Sequence, residues 1–183
     1  MALKATIFKA SLQVSDMDRN YYGEHQLTLA RHPSETDERM MMRVLAFALN
    51  AHEHLEFGKG LSDVDEPHLC QKDLTGQIVH WIDVGLPDEK RLVRASGKAE
   101  RVTVYAYGRG ADLWWEASAE RLERERNLKV CRMPDEASDS LGKLAARTMQ
   151  LQCMVQEEQI WFSSAEAALQ FSLASLKPRS LAA

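Results

Sequence analysis

The sequence predicts an α/β fold with a mixed sheet, built on a core of one helix, three strands, a second helix and a fourth strand, with an N-terminal β-hairpin and additional C-terminal strands. Three observations predict it. Two segments of alternating apolar and polar residues open the chain, a capped helix is followed by three short strand-like runs, and a second amphipathic helix leads into a dense β-branched strand.

The alternating segments run from Lys4 to Val14 and from Tyr22 to Ala30, and the DMDRN between them has the Asp/Asn content of a hairpin turn. The next element is a helix in HPSETDERMMMRVLAFALNAHEHL. Pro33 prevents an earlier start, Ser34 can cap it, and Asp37 and Glu38 lie in the first turn, facing the positive end of the dipole. Met41, Val44, Leu45, Ala48 and Leu55 fall near helical spacing and read as its buried face. LEFGKGL then reads as a short strand, and PHLCQKD with QIVHWIDVG as a hairpin turned at Thr75 and Gly76. Leu86, Pro87 and Asp88 open a second helix that ends near Glu100, and VTVYAY is the strand after it. A helix through ADLWWEASAERLERER, a strand at LKVCRM and a helix through DEASDSLGKLAAR follow. MQLQCMV and IWFSS then flank an EEQ turn, and a last strand is expected from Leu169 to Leu173. No repeat, low-complexity tract or Pro/Gly/Ser linker interrupts the order, so residues 1–183 are expected to form a single domain.

An apolar content of 45% is enough for a real core. The formal charge of -4 argues against a protein that coats nucleic acid non-specifically, so any such contact must be local. Cys70, Cys131 and Cys153 are odd in number and far apart, which supports neither a disulfide framework nor a zinc ribbon and fits a reducing cytoplasm. No apolar run approaches bilayer length, so no membrane is expected, and the chain reads as a soluble cytoplasmic protein, a monomer or weak dimer.

The chemistry gathers between Glu66 and Val102. Asp83 follows the apolar run from Ile78 to Ile82, a poor place for an acid with only a packing role. Directly after it, Arg91, Arg94, Lys98 and Arg101 recur at helical spacing and predict a cationic face, while Leu92, Ala95, Ala99 and Val102 line the packing face. A carboxylate at a strand end followed by a cationic helix can gather a divalent metal and a phosphate in one small volume. A solvated helix partly neutralised by Glu89 and Glu100 would carry the same pattern.

RHPSETDERM, the DEP of Asp65, Glu66 and Pro67, WIDVGLPDEKR and the MALKATIFKA start resemble the YaeQ family over nearly the whole chain. The resemblance implies a variant of the PD-(D/E)XK nuclease, or restriction-endonuclease-like, fold, whose core order is the one read above. It further implies a carboxylate cluster for Mg²⁺ or Mn²⁺: Glu38 from the first helix, Asp65 or Glu66 near the second core strand, and Asp83 at the third. Two departures stand out. Pro67 follows the acid instead of preceding it, and Gly85 occupies the place of the motif lysine, leaving Arg94 or Lys98 to supply the cation. Arginine can stabilise a developing phosphorane charge but cannot act as a base. Two readings follow: a metal-dependent phosphodiesterase or nuclease acting on DNA or RNA, with phosphate held by Arg91, Arg94, Lys98 and Arg101, or a catalytically inactive relative that binds nucleic acid or a protein partner, with a regulatory role open to it.

Other candidates are weaker. His52, Glu53, His54 and Glu56 lack the HExxH spacing of zinc hydrolases and read as a polar helix end. Gly108-Arg109-Gly110 completes no phosphate loop. Trp114 and Trp115 could stack bases, but on an amphipathic helix they read more simply as packing.

Overall fold

The computed structural model describes residues 4–59 and 64–180. Their Cα packing falls into two compact units, Met1–Ala51 with Glu136–Ser172, and His52–Asp135 with Leu173–Ala183. Among the described residues, four helices and two mixed sheets make up the α/β fold.

The first unit holds a five-stranded sheet. Strands β1 (Thr6–Asp16) and β2 (Tyr21–Arg31) are the expected antiparallel pair, in register from Thr6 opposite Arg31 to Asp16 opposite Tyr21. Late in the chain, β8 (Thr148–Gln156) lies parallel to β1, and β9 (Gln159–Ser163) and β10 (Ala168–Ser172) continue antiparallel, giving the order β10-β9-β8-β1-β2. Period-two alternation buries Phe8, Ala10, Leu12 and Val14 on one strand and Met149, Leu151, Cys153 and Val155 on its parallel neighbour. The EEQ turn closes with Glu157 and Glu158 both at positive φ, 50° and 64°. The Asp18 carboxylate accepts both of their backbone N–H groups, at 2.7 and 2.9 Å, which holds two ordinary residues in a conformation that glycine usually takes.

Helix α1 (Asp37–Leu49) belongs to this unit, and three sequence expectations change there. Its cap is Thr36, whose hydroxyl accepts from Arg39 N–H at 3.1 Å, not Ser34, whose hydroxyl pairs instead with His32 Nδ1 at 2.7 Å. All nine residues from Met40 to Ala48 are buried, so the helix is enclosed all round and has no single packing face. The helix also stops at Leu49, so Leu55 and Glu56 lie on a strand, and the polar stretch around His52 and His54 is a turn instead of a helix end.

The second unit holds a six-stranded sheet in the order β11-β7-β6-β5-β4-β3. Strands β3 (Leu55–Phe57), β4 (Leu69–Lys72) and β5 (Ile78–Val84) form an antiparallel meander, and Gly76, at φ 87°, sits in the turn between the last two. Residues 60–61 of the expected first strand lie outside the described residues. Helix α2 (Glu89–Lys98) crosses to β6 (Ala99–Ala106), parallel to β5, and α3 (Ala111–Leu122) crosses to β7 (Leu128–Arg132), parallel to β6. Helix α4 (Asp135–Gly142), which apart from its first residue belongs to the first unit, ends sooner than its pattern predicts. Strand β11 (Ala174–Lys177), which the sequence did not announce, pairs antiparallel with β7. Trp81, Leu92, Ala95, Val102, Val104, Leu122, Leu128 and Val130 form the core between this sheet and its helices. Trp114 joins it with Nε1 donating to Pro87 O at 2.8 Å, which makes it packing. Among the described residues, no helix is long and apolar enough to cross a membrane.

Candidate functional site

The site is built where β5 ends and α2 begins. Gly85, at φ 99°, turns the chain sharply after the strand, and its N–H donates to Tyr105 O at 3.0 Å. Asp88 caps α2 by accepting Lys90 N–H at 2.8 Å, and the first turn of the helix places Arg91 against the last residues of β5.

Arg91 grips Asp83 through a fork, Nε to Oδ2 at 2.7 Å and Nη2 to Oδ1 at 2.9 Å. Asp83 is 0% exposed and Arg91 8%. The guanidinium also donates to Val64 O and to Glu66 O, and lies 5.4 Å from the Trp81 ring centroid. His68 closes the cluster. Its backbone N–H donates to Asp83 Oδ1 at 3.3 Å, and its Nδ1 accepts Val84 N–H at 3.0 Å. One buried ion pair thus ties together a strand end, a helix start and the 64–68 segment. That segment is also held by close backbone approach, since Gly58 N–H donates to His68 O at 2.8 Å and a Cβ on Gly58 would lie 2.1 Å from Pro67 O.

Burial of Asp83 pushes its carboxyl pKa up, but the hydrogen bonds and the positive charge of Arg91 outweigh it and hold the group below the ordinary aspartate value. A depressed folded-state pKa gives stability that is fully present above the unfolded-state value of about 3.9 and is lost as pH falls through the folded-state value. Urea midpoints taken from neutral pH down into the acid range should therefore fall less steeply for Asp83→Asn than for the parent. Parallel acid limbs for the two proteins would remove Asp83 as a source of acid sensitivity.

Within the second unit, the expected site residues have different surroundings. Asp83 and Arg91 are together, and Glu66 reaches them through its main-chain carbonyl. The Glu66 carboxylate lies 3.9 Å from Lys59 Nζ. Asp65 and Glu66 line an open cleft of about 430 Å³ with Glu56, Lys59, Cys70 and Lys72, a wall of mixed sign that does not include Asp83. Glu38 sits half-buried in the first turn of α1, within the first unit, where Gly142 packs so tightly that a Cβ on it would be 3.0 Å from Glu38 Cα. Among the described residues, no group of three or more His, Cys, Asp or Glu side chains is disposed to hold a metal ion. The expected four-residue cationic face is also divided. Arg91 is buried on Asp83, Arg94 and Lys98 are exposed on α2, and Arg101 is on β6, because the helix ends at Lys98.

Comparison with known proteins gives a consistent answer. The family described as YaeQ protein matches residues 1–173. The chain belongs to the YaeQ family. It is 44% identical to the YaeQ protein of Salmonella typhi over 174 residues, covering 94% of this chain and 96% of that one, and 42% identical to the Escherichia coli K12 protein over the same shares. The crystal structure of the YaeQ protein from Xanthomonas axonopodis pv. citri superposes with a TM-score of 0.92 at 43% identity, covering 94% of this chain and 98% of that one. The Pseudomonas syringae YaeQ structure gives 0.91 at 36%, covering 95% and 97%. The Salmonella and Escherichia YaeQ proteins are themselves described as uncharacterised, so their names bring no reaction to this chain, and function must be argued from side chains.

Sequence reasoning did not find the partners of Asp83. It assigned Arg91 to phosphate and left His68 without a role. A signal was present in the spacing: Glu35 and Arg43 make the same fork eight residues apart, with both bonds at 2.8 Å, as do Asp83 and Arg91. In both pairs an acid ahead of a helix is matched by an arginine inside it.

Proposed function

We propose that this chain is a PD-(D/E)XK-like, restriction-endonuclease-like protein that binds nucleic acid without cutting it. The order α1, β3, β4, β5, α2, β6, with β5 parallel to β6 and an acid near the end of β5, supports the nuclease ancestry. The observation that carries the non-catalytic reading is the state of that acid. Both oxygens of Asp83 accept from Arg91, and a hard cation brought there would meet a fixed guanidinium in a dry site. Gly85 also stands where the motif would have its lysine, so that cation is missing from this position.

The binding surface is the solvent side of α2, where Lys90, Arg94 and Lys98 are all exposed and recur every four residues. Three phosphate contacts predict a slope of about -2 to -3 in log affinity against log salt on duplex DNA. Anisotropy titrations of duplex DNA, single-stranded DNA and RNA should show binding at low salt, and the Arg94→Ala, Lys98→Ala double variant should flatten the slope by about 2. Cleavage in Mg²⁺ or Mn²⁺ that disappears in Asp83→Asn would overturn this reading and restore the metal-dependent phosphodiesterase. Failure to bind any of the three would point instead to a protein partner.

A further inference from the structure

The face of the second sheet opposite the α2 and α3 core carries a different kind of charge. Along β6, Val102 and Val104 enter that core, so period-two alternation turns Arg101, Thr103 and Tyr105 to the other side. Arg101 stands beside His80 of β5, and Thr103 beside Lys129 of β7. The chain's tail adds a second arginine. After β11, Arg179 donates from Nε to Asn127 O at 3.1 Å and from Nη2 to Thr103 Oγ1 at 3.0 Å and Val102 O at 3.4 Å, while Ser180 N–H donates to Arg126 O at 3.0 Å. The Thr103 hydroxyl that receives Arg179 is itself within 2.8 Å of His80 Nε2. Arg179 is therefore fixed, not waving in solvent.

This half-buried pair lacks what the molecule gives its buried arginines. Arg43 and Arg91 each grip a carboxylate with two bonds. Among the described residues, neither Arg101 nor Arg179 has a carboxylate within ion-pair distance, and Arg101 Nε is buried with no hydrogen-bond partner. Two guanidiniums on one sheet face, with donors left over and no counter-charge among the described residues, offer half of an ion pair to a group from outside.

We infer that Arg101 and Arg179 form an oxyanion site that takes a phosphate group, with Thr103 and His80 holding the geometry and Lys129 beside it. Burial and the neighbouring Arg101 charge both pull Arg179 below the ordinary arginine pKa, the strain a bound dianion would relieve. The phosphate could be free, on a nucleotide, or at the end of a nucleic acid, and the assay separates these.

The test is calorimetric titration of the full chain with inorganic phosphate against chloride at matched ionic strength. Saturable binding is expected, weakened by about tenfold or more in Arg101→Gln and in Arg179→Gln, since each removes charge-assisted hydrogen bonds. Arg179→Lys should lose less. Arg101→Gln is the clean probe, because its Nε has no partner in the fold, and an unchanged melting temperature accompanying lost binding supports the site. Arg94→Ala should leave phosphate binding unchanged, so this site and the α2 surface fail separately. A 5′-phosphorylated oligonucleotide that outcompetes its unphosphorylated counterpart assigns the phosphate to a nucleic-acid end, whereas a preference for a mononucleotide or free phosphate assigns it to a small molecule. No binding above chloride, or binding by both glutamine variants as tight as that of the parent, would overturn the inference.

Discussion

Arg91→Ala should destabilise the protein by about 3–5 kcal/mol, because it leaves the Asp83 carboxylate buried at 0% exposure without a counter-charge. The loss is larger than that of a surface ion pair, where solvent would take over the abandoned charge. Arg91 also donates to Val64 O and Glu66 O, so its removal frees the 64–68 segment from α2. Limited proteolysis should then cut near Val64 in the variant under conditions that spare the parent. The Arg91→Met, Asp83→Asn double variant should recover part of the loss in urea denaturation, since replacing both partners removes the unpaired charge. A cost below about 1 kcal/mol for Arg91→Ala would mean that water reaches Asp83, and the reading of this cluster as a dry structural clasp would fall.

How far the sequence revealed this fold follows from which forces are local. The β1–β2 hairpin, the Gly76 turn and the Asp88 cap were legible because alternation, turn residues and capping act within a few positions. The end of α2 was not, although its cause is local as well. A pattern of cations every three or four residues continues smoothly through Arg101, but Ala99 already adopts φ -120° and ψ 153°, and Val102, Thr103 and Val104 favour the sheet. The parallel pairing of β1 with β8 joins residues more than 130 positions apart, for example Lys9 with Thr148, and no periodicity within either strand specifies it. Enclosure of α1 is a tertiary fact of the same kind, as is the choice of Thr36 over Ser34 as cap.

The candidate site was half legible for a related reason. Asp83 stood out because an acid directly after an apolar run is costly to bury, but that signal names a group needing a partner and leaves open whether the partner is a metal or an arginine. Arg91, read as one cation in a solvated face, is the partner. Arg101 and Arg179 were invisible as a pair, because their adjacency depends on β11 returning the tail beside β7 and β6.

Trp81→Ala should produce a loss of similar size, about 3–5 kcal/mol, for a different reason. At 2% exposure, Trp81 packs with Leu92 and Ala95 of α2 and Val102 and Val104 of β6, and truncation leaves a cavity that a sheet covered by packed helices cannot collapse into. The same ring lies 5.4 Å beneath the Arg91 guanidinium, so the variant also removes the platform that keeps the fork aimed at Asp83. The two effects can be separated. Trp81→Phe keeps an aromatic face and most of the volume and should cost about 1–3 kcal/mol, while Trp115→Ala, at a half-buried position on the rim of the same core, should cost less than Trp81→Ala. If the ring does support the clasp, Trp81→Ala and Arg91→Ala will be non-additive by about 0.5–3 kcal/mol in a double-mutant cycle read by urea denaturation. Strict additivity would show that Trp81 acts only as core, and that Asp83 and Arg91 hold their geometry without it.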